Sequence, residues 1–475
     1  MAKTTKSQKN VRLPLIGEQT NRTATTTKDQ KYINIFPETI KIPAIESTKI
    51  FLNKRPGLTL YKQFGSGEGR GVAWFNNIFY IAVGNTIWKD GVTPTAIITM
   101  TTTTGKVGML LGNSTTIGDY LFICDGTDGW VINNVGTVTA ITDPDFPSPH
   151  IPTPAFIDGY VVLAQRSDVY TCDLDEPTSW NTSNYLTAEM FPDSVIALAR
   201  QNNNVLVFGV YSTEFFYDAA NTNGSPLARN DASTAQVGCI SPNAIHQNEK
   251  QCFFVGQSDM GGRAVWQNVG FEMKKVSTEF IDRIIDSETD LANATGFGVR
   301  TMGHLFYVIN LPTVNKTIVY DSEEKLWHQW SSDVSGIQNV FNCNYTADNN
   351  TGTSYLLSAT GGKLYNFNVN SYQDDTTPIL VELQTGKFDM DTYKRKFLVN
   401  FRIVGDETPG NYVNIKWTDD DYQTWSNTKQ IGLDDSFPNF ARGGAFRRRA
   451  LNIQHNLNLP LRLESFETTY YEGDS

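Results

Sequence analysis

The chain alternates short apolar runs with polar turns, and one version of this pattern recurs seven times. Its first instance reads Asn76-Asn77-Ile78-Phe79-Tyr80-Ile81-Ala82-Val83-Gly84-Asn85-Thr86-Ile87-Trp88: a polar turn, an apolar run, a Gly/Asn break, then a second run carrying an aromatic. The same order returns over 118–130, 158–170, 203–216, 250–266, 303–320 and 353–365. Comparable positions in the first runs, Ile78, Tyr120, Tyr160, Val205, Cys252, Leu305 and Tyr355, lie 40 to 53 residues apart. Each unit reads as a β-hairpin, because Gly84-Asn85, Gly126-Thr127-Asp128-Gly129 and Gly361-Gly362 supply the turn residues a hairpin needs. A lone hairpin is marginal in water. The repeat length leaves room for two more strands, and a radial array of four-stranded sheets protects their edges. The pattern predicts an all-β protein in which residues 66–375 form a six- or seven-bladed β-propeller.

Three segments depart from this period. Ser277-Thr278-Glu279-Phe280-Ile281-Asp282-Arg283-Ile284-Ile285-Asp286 has helical apolar spacing behind a Ser/Thr start and predicts a short helix. From about Pro378 the repeat stops. Alternation at Val399, Phe401, Ile403 and at Val413, Ile415, Trp417 predicts a C-terminal β-sandwich over 376–475 with one face of each strand buried. Residues 1–65, rich in Thr, Lys and Gln, read as an extended basic N-terminal arm that orders in an assembly. The glycine run Gly65 to Gly71 reads as a flexible lead into the first blade.

Composition supports strands over charged helices: 40% of the 475 residues are hydrophobic, 12% aromatic and only 19% charged. The net charge of −11 argues against a surface that grips nucleic acid throughout. Resolved along the chain, that charge divides into +8 on residues 1–75 and −19 on the rest. No apolar stretch is long enough for a signal-peptide core or a membrane span, so synthesis in the cytosol is the expectation. Cys124, Cys172, Cys239, Cys252 and Cys343 are odd in number and without a CxxC pair, which predicts buried free thiols.

Few residues group as chemistry requires. Thr418-Asp419-Asp420-Asp421-Tyr422-Gln423-Thr424-Trp425 looks like the Asp-box turn of sialidase propellers, with Tyr422 where Gly is usual. Asp420 is expected to hold the turn through side-chain to backbone hydrogen bonds while Trp425 packs beneath; a calcium site at Asp419, Asp420, Asp421, Asp434 and Asp435 lacks the spacing of a known loop. His150, His246, His304, His328 and His455 stand alone and read as solvated, without metal-ligand spacing. No nucleophile elbow, phosphate loop or distinguished carboxylate pair is present, so no catalytic, cofactor-binding or metal residue is assigned. Arg447, Arg448 and Arg449 form a basic triplet in an alternating strand. Alternation sends Arg448 to the face opposite Arg447 and Arg449, and the triplet is a candidate subunit interface beside the plain reading of a solvated face.

Several stretches, in order along the chain, resemble the packaged-DNA stabilisation proteins, also called tail accessory, hub or nozzle proteins, of short-tailed bacteriophages. They are Tyr32-Ile33-Asn34-Ile35-Phe36-Pro37-Glu38 followed by Arg55-Pro56-Gly57-Leu58; Gly69-Arg70-Gly71-Val72; Val276-Ser277-Thr278 with Phe280-Ile281; and Gly303-His304-Leu305-Phe306-Tyr307-Val308-Ile309-Asn310-Leu311-Pro312. The last continues through Val319-Tyr320-Asp321 to Trp327-His328-Gln329-Trp330-Ser331-Ser332, and the Phe446 to Arg449 strand with Pro460-Leu461-Arg462-Leu463 is similar to the family's C-terminal end. The resemblance implies a non-enzymatic virion protein, six copies in a ring below the portal and its adaptor. Such a ring extends the DNA channel, helps retain packaged DNA until genome ejection and connects to needle, fibre or tailspike components. Double-stranded DNA passes without sequence specificity, and no small-molecule substrate or cofactor is implied. The protein is then expected in the virion, and in the host cytoplasm during assembly. The alternatives are a propeller scaffold that binds other proteins and a carbohydrate-active propeller enzyme.

Overall fold

The seven aligned positions all fall on strands that follow an inner strand of the same antiparallel sheet. The structure, a computed structural model, describes residues 8–13, 30–42, 47–189, 191, 193–248, 250–332, 339–434, 438–441 and 443–473. The chain gathers into two compact units, one of residues 60–315 and 342–367, the other of residues 1–59, 316–341 and 368–475.

In the first unit the inner strands Gly69–Phe75, Gly108–Ser114, Ile151–Ile157, Ala197–Gln201, His246–Gln247, Thr295–Thr301 and Cys343–Asp348 neighbour one another in sequence order, and the last lies against the first. This closed ring is a β-propeller. Six of its positions carry complete sheets; at the remaining one Thr295–Thr301 pairs with His304–Leu311. The last sheet takes its outer strand from Gly57–Gln63, which precedes the first blade, so the two ends of the array are hydrogen-bonded into one sheet. Apolar clusters lie between successive blades. Tyr80, Ile87, Leu121 and Ile132 join the first two, and Phe64, Phe79, Ile81, Leu357 and Leu364 join the last to the first. The helix forms at Glu279–Ser287, burying Phe280, Ile281, Ile284 and Ile285 against Arg263–Val269. All five cysteines are free and buried, and burial raises the thiols of Cys124, Cys172, Cys239 and Cys252 well above their ordinary range.

The second unit is two sheets around one core. One sheet orders Ile35–Ile42, Ser47–Lys54, Arg462–Glu472, Lys396–Gly405 and Asn439–Ala441, with Gln8–Leu13 added on Arg462–Glu472. The other runs from Lys316–Asp321 and Leu326–Trp330 through Lys31–Ile33, Val381–Gln384, Ala450–His455 and Tyr412–Thr418 to Lys429–Gly432. Ile35, Leu52, Leu383, Phe401, Ile415, Ile453 and Phe466 share its core.

Two expectations change here. The N-terminal segment is not a bare arm in its described parts, because Tyr32, Ile33, Ile35, Phe36 and Leu52 are buried in strands: Ile35–Ile42 pairs locally with Ser47–Lys54, while Lys31–Ile33 and Leu52 also pair with strands hundreds of residues away. The alternation Val399, Phe401, Ile403 is broken by a register shift between Leu398 and Asn400, so Leu398, Phe401 and Ile403 face the core while Val399 is half-buried.

Candidate functional site

Three of the motifs that carry the family resemblance, Tyr32–Glu38 with Arg55–Leu58, Trp327–Ser332 and Gly69–Val72, hold two buried arginines, one in each unit. Asn34 sits in left-handed backbone conformation (φ 57°) and is fully buried. Its Nδ2 donates to the Ser331 and Leu380 carbonyls at 3.0 and 2.8 Å, while its Oδ1 accepts from Ser331 N at 2.9 Å and from Arg55 Nε at 2.8 Å. Arg55 sends its other donors to Pro56 O, Ser331 O and both Asp374 oxygens, the latter at 2.9 and 2.5 Å. All five guanidinium N–H groups are used. The cation also lies 5.0 Å from the Phe341 ring centroid. Gly57 follows because a Cβ there would stand 2.3 Å from Gln373 O.

Arg70 repeats this economy inside the propeller. Its Nε donates to Gly105 O at 2.6 Å, Nη1 to Gly84 O and Thr102 O, and Nη2 to Thr102 Oγ1 and Thr104 O. It thereby fastens the Thr-rich connection between the first two blades. Added Cβ atoms at Gly69 and Gly71 would stand 2.1 Å from Ser358 O and 2.7 Å from Val107 O, so both glycines allow close backbone approach. The run from Gly65 to Gly71 therefore ends in tightly packed strand at Gly69–Gly71, while Gly65 to Gly67 are exposed. In both constellations every guanidinium N–H is engaged in tying chain segments together.

Asp420 holds a turn through its side chain. Asp420 Oδ1 accepts from Thr424 N at 2.9 Å, Gln423 N at 3.2 Å and Thr418 Oγ1 at 2.8 Å, and Oδ2 from Thr424 Oγ1. Hydrogen bonds led by the Thr424 hydroxyl hold its carboxyl down at about 2. Tyr422, in left-handed conformation (φ 65°), is the ring buried beneath, with its hydroxyl donating to Thr385 O at 2.9 Å, whereas Trp425 is half-buried. Of the calcium candidates, Asp435 lies outside the described residues, and among those residues no group of three or more His, Cys, Asp or Glu is placed to hold a metal.

The arginine triplet does not alternate. A bend at Arg447 and Arg448 interrupts the strand, leaving both exposed while Arg449 is buried. Arg449 Nε and Nη2 meet the two Asp419 oxygens at 2.8 Å each, Nη1 donates to Gly443 O, and its guanidinium lies 4.2 Å from the Phe446 ring centroid. Arg447 and Arg448 both lie over the Tyr393 ring, at 5.7 and 6.0 Å, and Arg447 Nη1 donates to Tyr393 O at 2.8 Å. With exposed Lys394, Arg395 and Phe397 alongside in the sequence, these residues make a basic and aromatic surface. The run Tyr393-Lys394-Arg395-Lys396-Phe397 was its signal in the sequence.

The histidines are also not the solvated side chains their isolation predicted: His150, His304, His328 and His455 are buried. In the second unit Asn411 Nδ2 donates to Pro460 O, which turns its Oδ1 toward His455 Nε2 at 2.8 Å. That contact places the His455 proton on Nε2 and leaves Nδ1 to accept from Lys54 Nζ at 3.2 Å. Burial first, then the neighbouring Lys54 cation, lowers the imidazole to about 3, and burial lowers Lys54 to about 7.

A family model described as "Bacteriophage P22 Gp10, beta-propeller" (Phage_stabilise) matches residues 11–353. The chain belongs to this family. The phage-stabilisation family is one of bacteriophage structural proteins, which fits a place in the virion in association with other virion proteins. No curated protein sequence matches. Among solved structures, a streptogramin B lyase is similar at 10% identity and TM-score 0.41, covering 70% of this chain and 97% of its own. The virginiamycin B lyase of Staphylococcus aureus is similar at 12% identity and TM-score 0.42, covering 67% and 99%. The extracellular domain of a hybrid two-component system, BT4673 of B. thetaiotaomicron, is similar at 12% and 0.44, covering 77% and 46%. Likenesses this distant carry none of those proteins' chemistry to this phage-stabilisation chain. Among the described residues no helix is long and apolar enough to cross a membrane.

Proposed function

We propose that the protein is a structural subunit of a short phage tail, present as a ring of six copies below the portal and its adaptor. There it extends the DNA channel, helps retain packaged DNA and joins the distal tail parts. The family match over 11–353 carries this reading. The charge distribution supports it, since a body of net −19 outside the first 75 residues does not hold DNA by phosphate contacts and lets it slide. A closed ring requires two different patches per subunit. The Tyr393, Arg447 and Arg448 surface has the arginine and aromatic content of an interface centre, and suits an acidic neighbour. Arg449 is not part of it, because its charge is already spent on Asp419.

Negative-stain imaging of the purified protein, alone and with its adaptor, tests the ring. In the same experiment Arg447→Glu with Arg448→Glu is expected to convert rings to monomers at low salt with an unchanged circular dichroism spectrum. Rings of normal size from this variant return the pair to a solvated surface.

A further inference from the structure

The strand Gln8–Leu13 lies antiparallel on the C-terminal strand, with register Gln8↔Tyr471 through Leu13↔Phe466. Only its last residue is buried, so its hold is mainly polar. Lys9 pairs with Glu472 at 2.6 Å and Arg12 with Glu464 at 2.8 Å. Arg12 Nε donates to Ser465 Oγ at 2.6 Å, and Thr469 Oγ1 to Asn10 Oδ1 at 2.8 Å. The basic arm thus has an acidic seat, and that seat is part of its own chain.

The seat is a sheet edge. Strand Arg462–Glu472 is covered along one side by Lys396–Gly405, and on the other Ser47–Lys54 reaches only Arg462 and Leu463. Without Gln8–Leu13 the backbone from Phe466 to Tyr471 would present unpaired groups, a template for strand addition. Sixteen residues, 14–29, separate the strand from the next described position, and a chain of that length spans up to about 55 Å when extended. An identical strand from another copy makes the same pairs and the same ion pairs, so exchange costs no contact and adds a link between subunits.

We propose that in the assembled ring the strand Gln8–Leu13 of each copy seats on the Phe466–Tyr471 edge of the next copy, the occupant being a second copy of this chain. This rests on the ring reading above and names what fastens the ring. The arm's charge fits that role: exposed ion pairs direct the strand to the acidic edge, and backbone pairing fixes its register.

The test is a cross-link at one register pair. Asn10 and Thr469 are opposite each other with touching side chains, the geometry in which paired cysteines oxidise. The double variant Asn10→Cys with Thr469→Cys is assembled, its oligomeric state read by sedimentation, then oxidised and run on a non-reducing denaturing gel. The native cysteines, all buried, supply little background. Exchange predicts that most of the chain moves into a covalent ladder above the monomer, collapsed by reductant and absent from each single variant. An intact ring that yields only internally cross-linked monomer overturns the exchange while leaving the ring standing. A protein that sediments as a monomer in every preparation overturns the ring, and the exchange with it, before oxidation is read.

Discussion

The two units tie down a buried guanidinium by the same saturation of its five donors, but over different distances along the chain. Arg70 reaches carbonyls no more than 35 residues away, within one blade and the connection to the next. Arg55 reaches Asp374, 319 residues away, together with Asn34 and Ser331. The propeller grows by adding hairpins beside hairpins, so each closure costs little chain entropy. The other unit exists only when the chain's beginning, a middle stretch and its end have met. Its few charged anchors therefore carry a larger share of its cooperativity than any one anchor does in the blades.

Removing an anchor from the long-range unit is the strongest way to break that comparison. Arg55→Ala leaves the half-buried Asp374 carboxylate without its guanidinium and takes one of two donors from the buried Ser331 carbonyl, the other being Asn34 Nδ2. The expected loss is about 3–5 kcal/mol, the range for breaking one side of a buried pair. Hydrogen exchange followed peptide by peptide should locate it. Amides in Arg462–Glu472 and Ala450–His455 are expected to lose protection, and those of Gly118–Cys124 to keep theirs. Uniform loss across all three peptides would mean that the two units unfold as one.

The second test uses the Lys54 and His455 contact, which belongs to the same unit. His455 is held neutral in the fold with its pKa near 3 against an ordinary 6.5, so the unfolded chain binds the extra proton between those values. Stability from this group is complete above pH 6.5 and is lost as pH falls toward 3, on the order of 5 kcal/mol over the whole window. Lys54, lowered from 10.5 to about 7, acts with the same sign at higher pH, adding stability as pH rises from 7 to 10.5. Urea midpoints measured across pH 4 to 7 are expected to fall more steeply with falling pH for the native chain than for His455→Gln; parallel curves would mean that carboxylates, and not His455, set the slope.

This asymmetry also governs what could be read from the residues. The hairpins were legible because their two strands and the turn between them sit in one short window, as in Ile78–Val83 and Thr86–Lys89 joined at Gly84-Asn85. The helix was legible for the same reason. The partner of Tyr32-Ile33 could not be, since a three-residue strand held between Leu326–Trp330 and Val381–Gln384 has no local signature beyond a few apolar residues. The triplet Arg447 to Arg449 misled in a related way: a bend at two residues cancels alternation, and only the ion pair with Asp419, a partner 30 residues away, distinguishes buried Arg449 from Arg447 and Arg448. Asp420 was found because every hydrogen bond it makes lies within four residues.

The mildest of these tests sharpens the comparison from the propeller side. Arg70→Lys keeps the positive charge but replaces a planar fork of five donors with three on a flexible stem. The shorter donor set of the introduced lysine could satisfy some of the carbonyls of Gly84, Thr102, Thr104 and Gly105, and would leave the rest buried and unpaired. The expected cost is about 1.5–3 kcal/mol, since hydrogen bonds to a charged donor are lost without removing the charge. Because Arg70 ties one blade to the next, the loss should stay local, with faster exchange in Gly69–Phe75 and Gly108–Ser114 and none in Ala197–Gln201 on a blade further round the ring. If exchange quickens equally in all three strands, the propeller is as cooperative as the long-range unit, and the contrast drawn from the reach of the two arginines is wrong.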